Sequence, residues 1–133
     1  MVVVDTNVVA YLLIEGERTG PAQALYARDP DWRSEAFLLV EFSNLLATYR
    51  RGGDLDGVAA AGLLASAERI LAGSINLPHG RALEIAAEFG VSAYDARFLG
   101  AARGLGARLV TDDAKLRKAA PALTQSLAQA LEG

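Results

Sequence analysis

Cysteine is absent from this chain of 133 residues, and histidine occurs once, at position 79. Without thiols there is no disulfide framework and no thiolate zinc site, which fits a reducing cytosol. With a single imidazole, acid–base chemistry by a histidine pair is excluded. His79 follows Pro78 in a turn and is expected at the surface. Positive charge is also in short supply: 13 Lys and Arg against 16 Asp and Glu give a net charge of −3. No broad basic coat can therefore hold a polyanion nonspecifically, although a local patch remains open. Long apolar runs are missing too. No stretch approaches the roughly 20 residues of a membrane span. Asp5 interrupts the one N-terminal segment that could have served as a signal peptide. The strand–turn–helix elbow of a serine nucleophile does not appear either. The expectation is a soluble cytoplasmic protein without a membrane segment.

What the chain does have is apolar residues, at 52%, beside 22% charged ones, the balance of a compact globular protein. Its length fits one domain over 1–133, with no linker, repeat or low-complexity tract. Val2 to Val4 is a β-branched run of the kind buried on both faces of a sheet. Helices are predicted over Val8–Ile14, from Pro21 to about Arg28, over Ala36–Arg51, from an Asp54 cap to about Leu71, from Pro78 to Phe89, from a Ser92 cap to Arg103, and from Asp112 or Asp113 to Ala120. Leu83, Ala86 and Ala87, or Ile85 and Phe89, are the inward candidates on the fifth of these. Gly90 ends that helix, and Gly104 and Gly106 break the next. Short strands are predicted near Arg33–Glu35, Ser74–Leu77 and Arg108–Val110, and an amphipathic stretch after Pro121. Strands separated by helices in this order predict an α/β fold, a mainly parallel sheet with helices on both faces.

Most acidic residues fall in turns, caps or solvated faces, and four do not. Asp5 stands at the carboxyl end of the first strand, where open α/β sheets place their ligand sites. Glu41 lies within "EAFLLVEFSNLLATYRR", where helical spacing sets it among Phe37, Leu38, Asn44 and Leu45. Asp95 lies in "VSAYDARFLGAA", sharing a face with Phe98, Leu99 and Ala102, while Arg97 and Arg103 point elsewhere. Asp113 follows the last strand in "LVTDDAKL". Asp5, Asp95 and Asp113 each admit a plain explanation as a helix cap or first-turn residue. Glu41 has no capping duty, and a buried ion pair is its structural alternative. Taken jointly, two acids at strand ends and two on inward helix faces can converge on one pocket. Their repulsion would raise their pKa values unless a cation held them together, and a hard divalent ion, Mg²⁺ or Mn²⁺, is the simplest.

These residues resemble the PIN-domain proteins, most similarly the VapC-type toxin ribonucleases of toxin–antitoxin pairs. "VVVDTNVVAYLL", Glu41 in its apolar helix and "SAYDARFLGAARGLGARLVTDDAKL" carry the resemblance. It implies a three-layer α/β/α fold and a Mg²⁺- or Mn²⁺-dependent endoribonuclease, commonly a homodimer, with a small antitoxin as partner. It also implies Asp5, Glu41, Asp95 and Asp113 as catalytic and metal-binding residues. The family's Thr-x-Asp ending selects Asp113 over Asp112 as the fourth, Asp112 being the competing choice. Thr6 and Asn7 match the polar pair after the first Asp, and Thr111 the hydroxyl beside the pocket. Arg50, Arg51, Arg97, Lys115, Arg117 and Lys118 are candidates for meeting the RNA backbone, or are solvated helix ends. Three rivals stand beside this reading. A non-cutting PIN-like RNA- or protein-binding domain is one. A receiver-type domain lacks the acidic pair it would need after the first strand, and a dehalogenase-type phosphatase lacks Asp-x-Asp because residue 7 is Asn.

Overall fold

A run of three valines beginning one residue from the N-terminus forms the buried spine of the sheet. The computed structural model describes Met1–Gly133. Strand β1 (Val2–Val4) pairs in parallel with β2 (Trp32–Arg33) on one side and β3 (Leu109–Val110) on the other. Strand β4 (Thr124–Gln125) adds to β3, giving the all-parallel order β2-β1-β3-β4. Val3 and Val4 are fully buried, as are Leu109 and Val110, because helices cover both faces.

Helix α1 (Thr6–Leu13) follows β1 directly, with the Asp5 carboxylate accepting from the Val8 amide at 3.1 Å as its cap. Helices α2 (Thr19–Arg28), α3 (Phe37–Arg51) and α4 (Gly57–Ile70) complete the first half. Helices α5 (His79–Phe89), α6 (Ala93–Leu105), α7 (Ala114–Ala119) and α8 (Leu127–Glu132) belong to the second. The core runs continuously from the sheet through Val8 and Val9 of α1, Leu38, Phe42 and Leu46 of α3, and Phe98 and Leu99 of α6. Helices α5 and α6 form an antiparallel pair joined by Gly90, whose φ of 67° lies in the left-handed region that favours glycine. On α6, Gly100 leaves room for the side chains of Leu77, just before α5, and Ile85 of α5: a Cβ there would stand 2.5 Å from Leu77 Cδ2.

Several local expectations change in three dimensions. The cap of α4 is Asp56, which accepts from the Ala59 amide at 2.7 Å, rather than Asp54. The segment predicted as a strand over 74–77 contributes a single parallel bridge, Ile75 with Glu35. Leu83 is exposed, and Ala82 and Ile85 carry the buried face of α5. Gly104 lies inside α6, which ends one residue later and is capped by Gly106 in the left-handed conformation. Past Pro121 a single 3₁₀ turn (Pro121–Leu123) leads into β4, an element without periodic signal in the sequence. The final helix α8 is anchored by Arg28, whose guanidinium donates to the carbonyls of Ala130, Leu131 and Gly133 at 3.3, 2.8 and 3.0 Å. No helix is long and apolar enough to cross a membrane.

Candidate active site

In a sheet of order β2-β1-β3-β4, β1 and β3 lie side by side and the chain leaves them toward opposite flanks. The crevice beyond their carboxyl ends is the usual ligand position in open parallel sheets. Here the backbone supplies acid at both ends. Asp5 follows Val4, and its amide donates to the Val110 carbonyl at 3.2 Å, which locks the residue beside the end of β3. Asp113 leaves β3 after Thr111 and caps α7, accepting from the amides of Lys115 and Leu116 at 3.0 and 3.2 Å.

Two helices bring the other acids. Glu41 sits one turn into α3 and Asp95 in the first turn of α6, after the Ser92 cap. All four carboxyl-bearing residues, Asp5, Glu41, Asp95 and Asp113, line one cavity of about 420 Å³ with Thr6, Asn7, Asn44 and Thr48 among its polar walls. The amino ends of α1, α6 and α7 meet at this cavity, and their partial positive charge favours anionic side chains. The capping roles considered for Asp5 and Asp113 are therefore real, and both residues also face the cavity. Glu41 is half-buried rather than enclosed. Its Oε1 accepts from the Thr6 hydroxyl at 2.6 Å, which ties the start of α1 to α3.

The electrostatics of the cavity are those of crowded acid. Burial pushes the Asp5 carboxyl from 3.8 up to about 6; hydrogen bonds from Thr111 and Val8 oppose the rise, and the charges of Asp112 and Asp113 add to it. Asp95 is raised as well, by burial first and then by Asp113. No three of these acids stand close enough to ligate one ion without further approach. The donor set is oxygen only, without thiolate or imidazole, and suits a hard divalent cation such as Mg²⁺ rather than a soft one.

Asp112 is separated from Asp113 by its partners. Its carboxylate pairs with Arg18 and accepts from the Leu127 amide at 3.0 Å, so it braces α2 and α8 and does not line the acidic cavity. Among the basic candidates, Arg97 is committed elsewhere. It donates to Glu35 Oε2 at 3.1 Å and to the Leu77 carbonyl at 3.0 Å, and it contacts His79 Nδ1. Glu35 is 1% exposed and also accepts from the amides of Phe37 and Leu77 at 2.6 and 2.9 Å. Sequence reasoning missed it. Glu35 lies two residues before α3 starts and Arg97 two residues after Asp95, so this buried pair joins the helices that carry Glu41 and Asp95. Arg117 donates to the Thr111 carbonyl at 3.1 Å, while Arg50, Arg51, Lys115 and Lys118 are exposed.

A family model described as the PIN domain matches residues 2–121, which leaves β4 and α8 outside the match. Among solved structures, the crystal structure of PAE2754 from Pyrobaculum aerophilum is similar, with a TM-score of 0.77 and 21% sequence identity over 98% of this chain and 91% of that one. At that identity the likeness carries the fold alone. No curated protein matches the chain.

Proposed function

Since the chain belongs to the PIN domain family, whose members are generally nucleases and typically bind a divalent metal, we propose that it is a Mg²⁺- or Mn²⁺-dependent endoribonuclease, the toxin of a VapBC-type pair. The observation that carries this reading is the meeting of Asp5, Glu41, Asp95 and Asp113, from four separate segments, around one cavity at the end of the sheet. Helix caps alone would account for Asp5 and Asp113 but give no reason for Glu41 to share their cavity.

A divalent cation held by these carboxylates supplies Lewis acidity toward an incoming water and toward the charge that gathers on the phosphoryl oxygens. The chain's own groups do the rest. Asp5, whose carboxylate accepts from the Val8 amide, offers an oxygen held at the end of the first strand. Glu41 is oriented by Thr6 and Asp95 by the rigid first turn of α6. Asp113, the most exposed of the four, would complete the site or orient the incoming water. Specificity for RNA and the toxin role rest on the sequence resemblance, as do the antitoxin and the homodimer.

The test uses purified chain and single-stranded RNA. Cleavage is expected in Mg²⁺ or Mn²⁺ and none in EDTA, and Glu41→Gln and Asp95→Asn are each expected to lower kcat at least about 100-fold while melting like the parent. Undiminished cleavage in EDTA, or in the Glu41→Gln, Asp95→Asn double variant, would refute the proposal. Coexpression with a short neighbouring gene that relieves growth arrest would support the toxin assignment, and harmless expression of the active enzyme alone would remove it.

A further inference from the structure

A second cavity, of about 390 Å³, adjoins the acidic one and shares Asn7 and Leu45 with it. The reason lies in helical spacing. Along α3, residues 41, 45 and 49 fall on one stripe, and along α1 residues 7 and 11 do the same, with Ile14 just past its end. The two helices pack together, so their stripes form a trough that leads from Glu41 to Tyr49, about 12 Å along the helix axis. Two of the chain's four tyrosines, Tyr11 and Tyr49, line its far end.

The charge there does not suit a phosphate. Glu15 and Glu17 border the cavity, and its one cation, Arg18, is already paired with Asp112 while it lies 5.6 Å over the Tyr11 ring. A flat, uncharged ring suits these walls, with two tyrosine rings among them and the exposed Asn7 amide at the entrance to meet a polar edge. We propose that the trough between α1 and α3 is a nucleobase subsite, in which Tyr11 and Tyr49 receive the base of a nucleotide flanking the phosphate held at the acidic cavity. This deepens the nuclease reading and rests on it for the position of the scissile phosphate. Single-stranded RNA is the class of ligand, because its unstacked bases are free to splay into a side trough, whereas a paired base must first be unpaired and unstacked.

The experiment places 2-aminopurine at successive positions of a short single-stranded RNA. Binding to the full chain is followed by fluorescence in Ca²⁺, and cleavage is then scored in Mg²⁺. One position should respond strongly to the wild type. Tyr49→Ala and Tyr11→Ala should each weaken binding about tenfold, and Tyr49→Phe, which keeps the ring, should restore it to within about twofold. An abasic site at the responding position should erase the difference between Tyr49→Ala and the wild type. Thermal melts check that the variants are folded, with Tyr49→Leu replacing alanine if needed. Tyrosine-independent binding with cleavage intact overturns the subsite and leaves the nuclease. Tyrosine-dependent binding without metal-dependent cleavage keeps the subsite and removes the nuclease. Failure to bind RNA, or tyrosine variants that lose a bound protein but keep their RNA affinity, overturns the subsite in favour of a protein groove.

Discussion

Replacing Asp5 with Asn removes the most deeply buried acid of the cavity while leaving a side chain of the same shape that caps α1 equally well. The folded chain holds this carboxyl at about 6, against an ordinary 3.8. At about 1.4 kcal/mol for each tenfold in proton affinity, that is about 3 kcal/mol of preference for the protonated form. Because the folded-state value is raised, the native chain binds the proton more tightly than the unfolded one. Stability is therefore undiminished below about 3.8, falls as pH rises from there toward 6, and stays lowered above it. Asp5→Asn does not titrate. It should match the wild type near pH 4 and be more stable by up to about 3 kcal/mol at pH 8, a melting temperature roughly 10 °C higher for a chain of this size. The assay is thermal unfolding by circular dichroism in EDTA from pH 4 to 8. Mg²⁺ should then raise the melting temperature of the wild type and not of the variant. A difference that is independent of pH, or an Asp5→Asn variant less stable than wild type at pH 8, would mean that Asp5 is a cap and nothing more.

The buried pair predicts the opposite sign. Glu35→Gln leaves Arg97 without its counter-charge in the interior and should cost about 3 kcal/mol, visible as a melting temperature lower by roughly 10 °C at pH 7; a drop of only about 2 °C would mean that the Leu77 carbonyl and His79 suffice for Arg97. Gly100→Ala forces a methyl to within 2.5 Å of Leu77 Cδ2 and 2.9 Å of Ile85 Cδ1, so urea unfolding should show a loss of about 1–3 kcal/mol. Gly62→Ala, in mid-helix with nothing within 4 Å, should gain up to about 1 kcal/mol in the same assay. Asp113 separates its two duties by substitution: Asn keeps the α7 cap and should abolish metal-dependent cleavage without loss of stability, while Ala should lose about 1 kcal/mol as well.

The acids of the cavity were legible because each breaks a local pattern. A mid-helix Glu41 among apolar neighbours and an Asp at each of two strand ends have few ordinary uses, and their order along the chain carries the family resemblance. The choice between Asp112 and Asp113 is different, since both can cap the same helix. What separates them is Arg18, 94 residues away, and no local spacing encodes that partnership. Glu35 was invisible for a similar reason. It sits in an irregular stretch between β2 and α3, and its burial follows from Arg97 and the amide of Leu77, supplied from 62 and 42 residues downstream. Strand β4 escaped because two residues, Thr124 and Gln125, cannot display a period. Leu83 was misplaced because a short helix with apolar residues on more than one side is oriented by what packs against it, here α6.

Strand β1 is synthesised before both of its neighbours, and β2 and six helices separate it from β3. While β3 remains inside the ribosome, β1 can pair only with β2, the Asp5 amide has no Val110 carbonyl to meet, and Asp113 has yet to emerge. The acidic cavity thus cannot be completed on a nascent polypeptide until Asp113 has left the ribosome. A product truncated before β3, however well its earlier elements fold, would lack the sheet end at which the four acids meet.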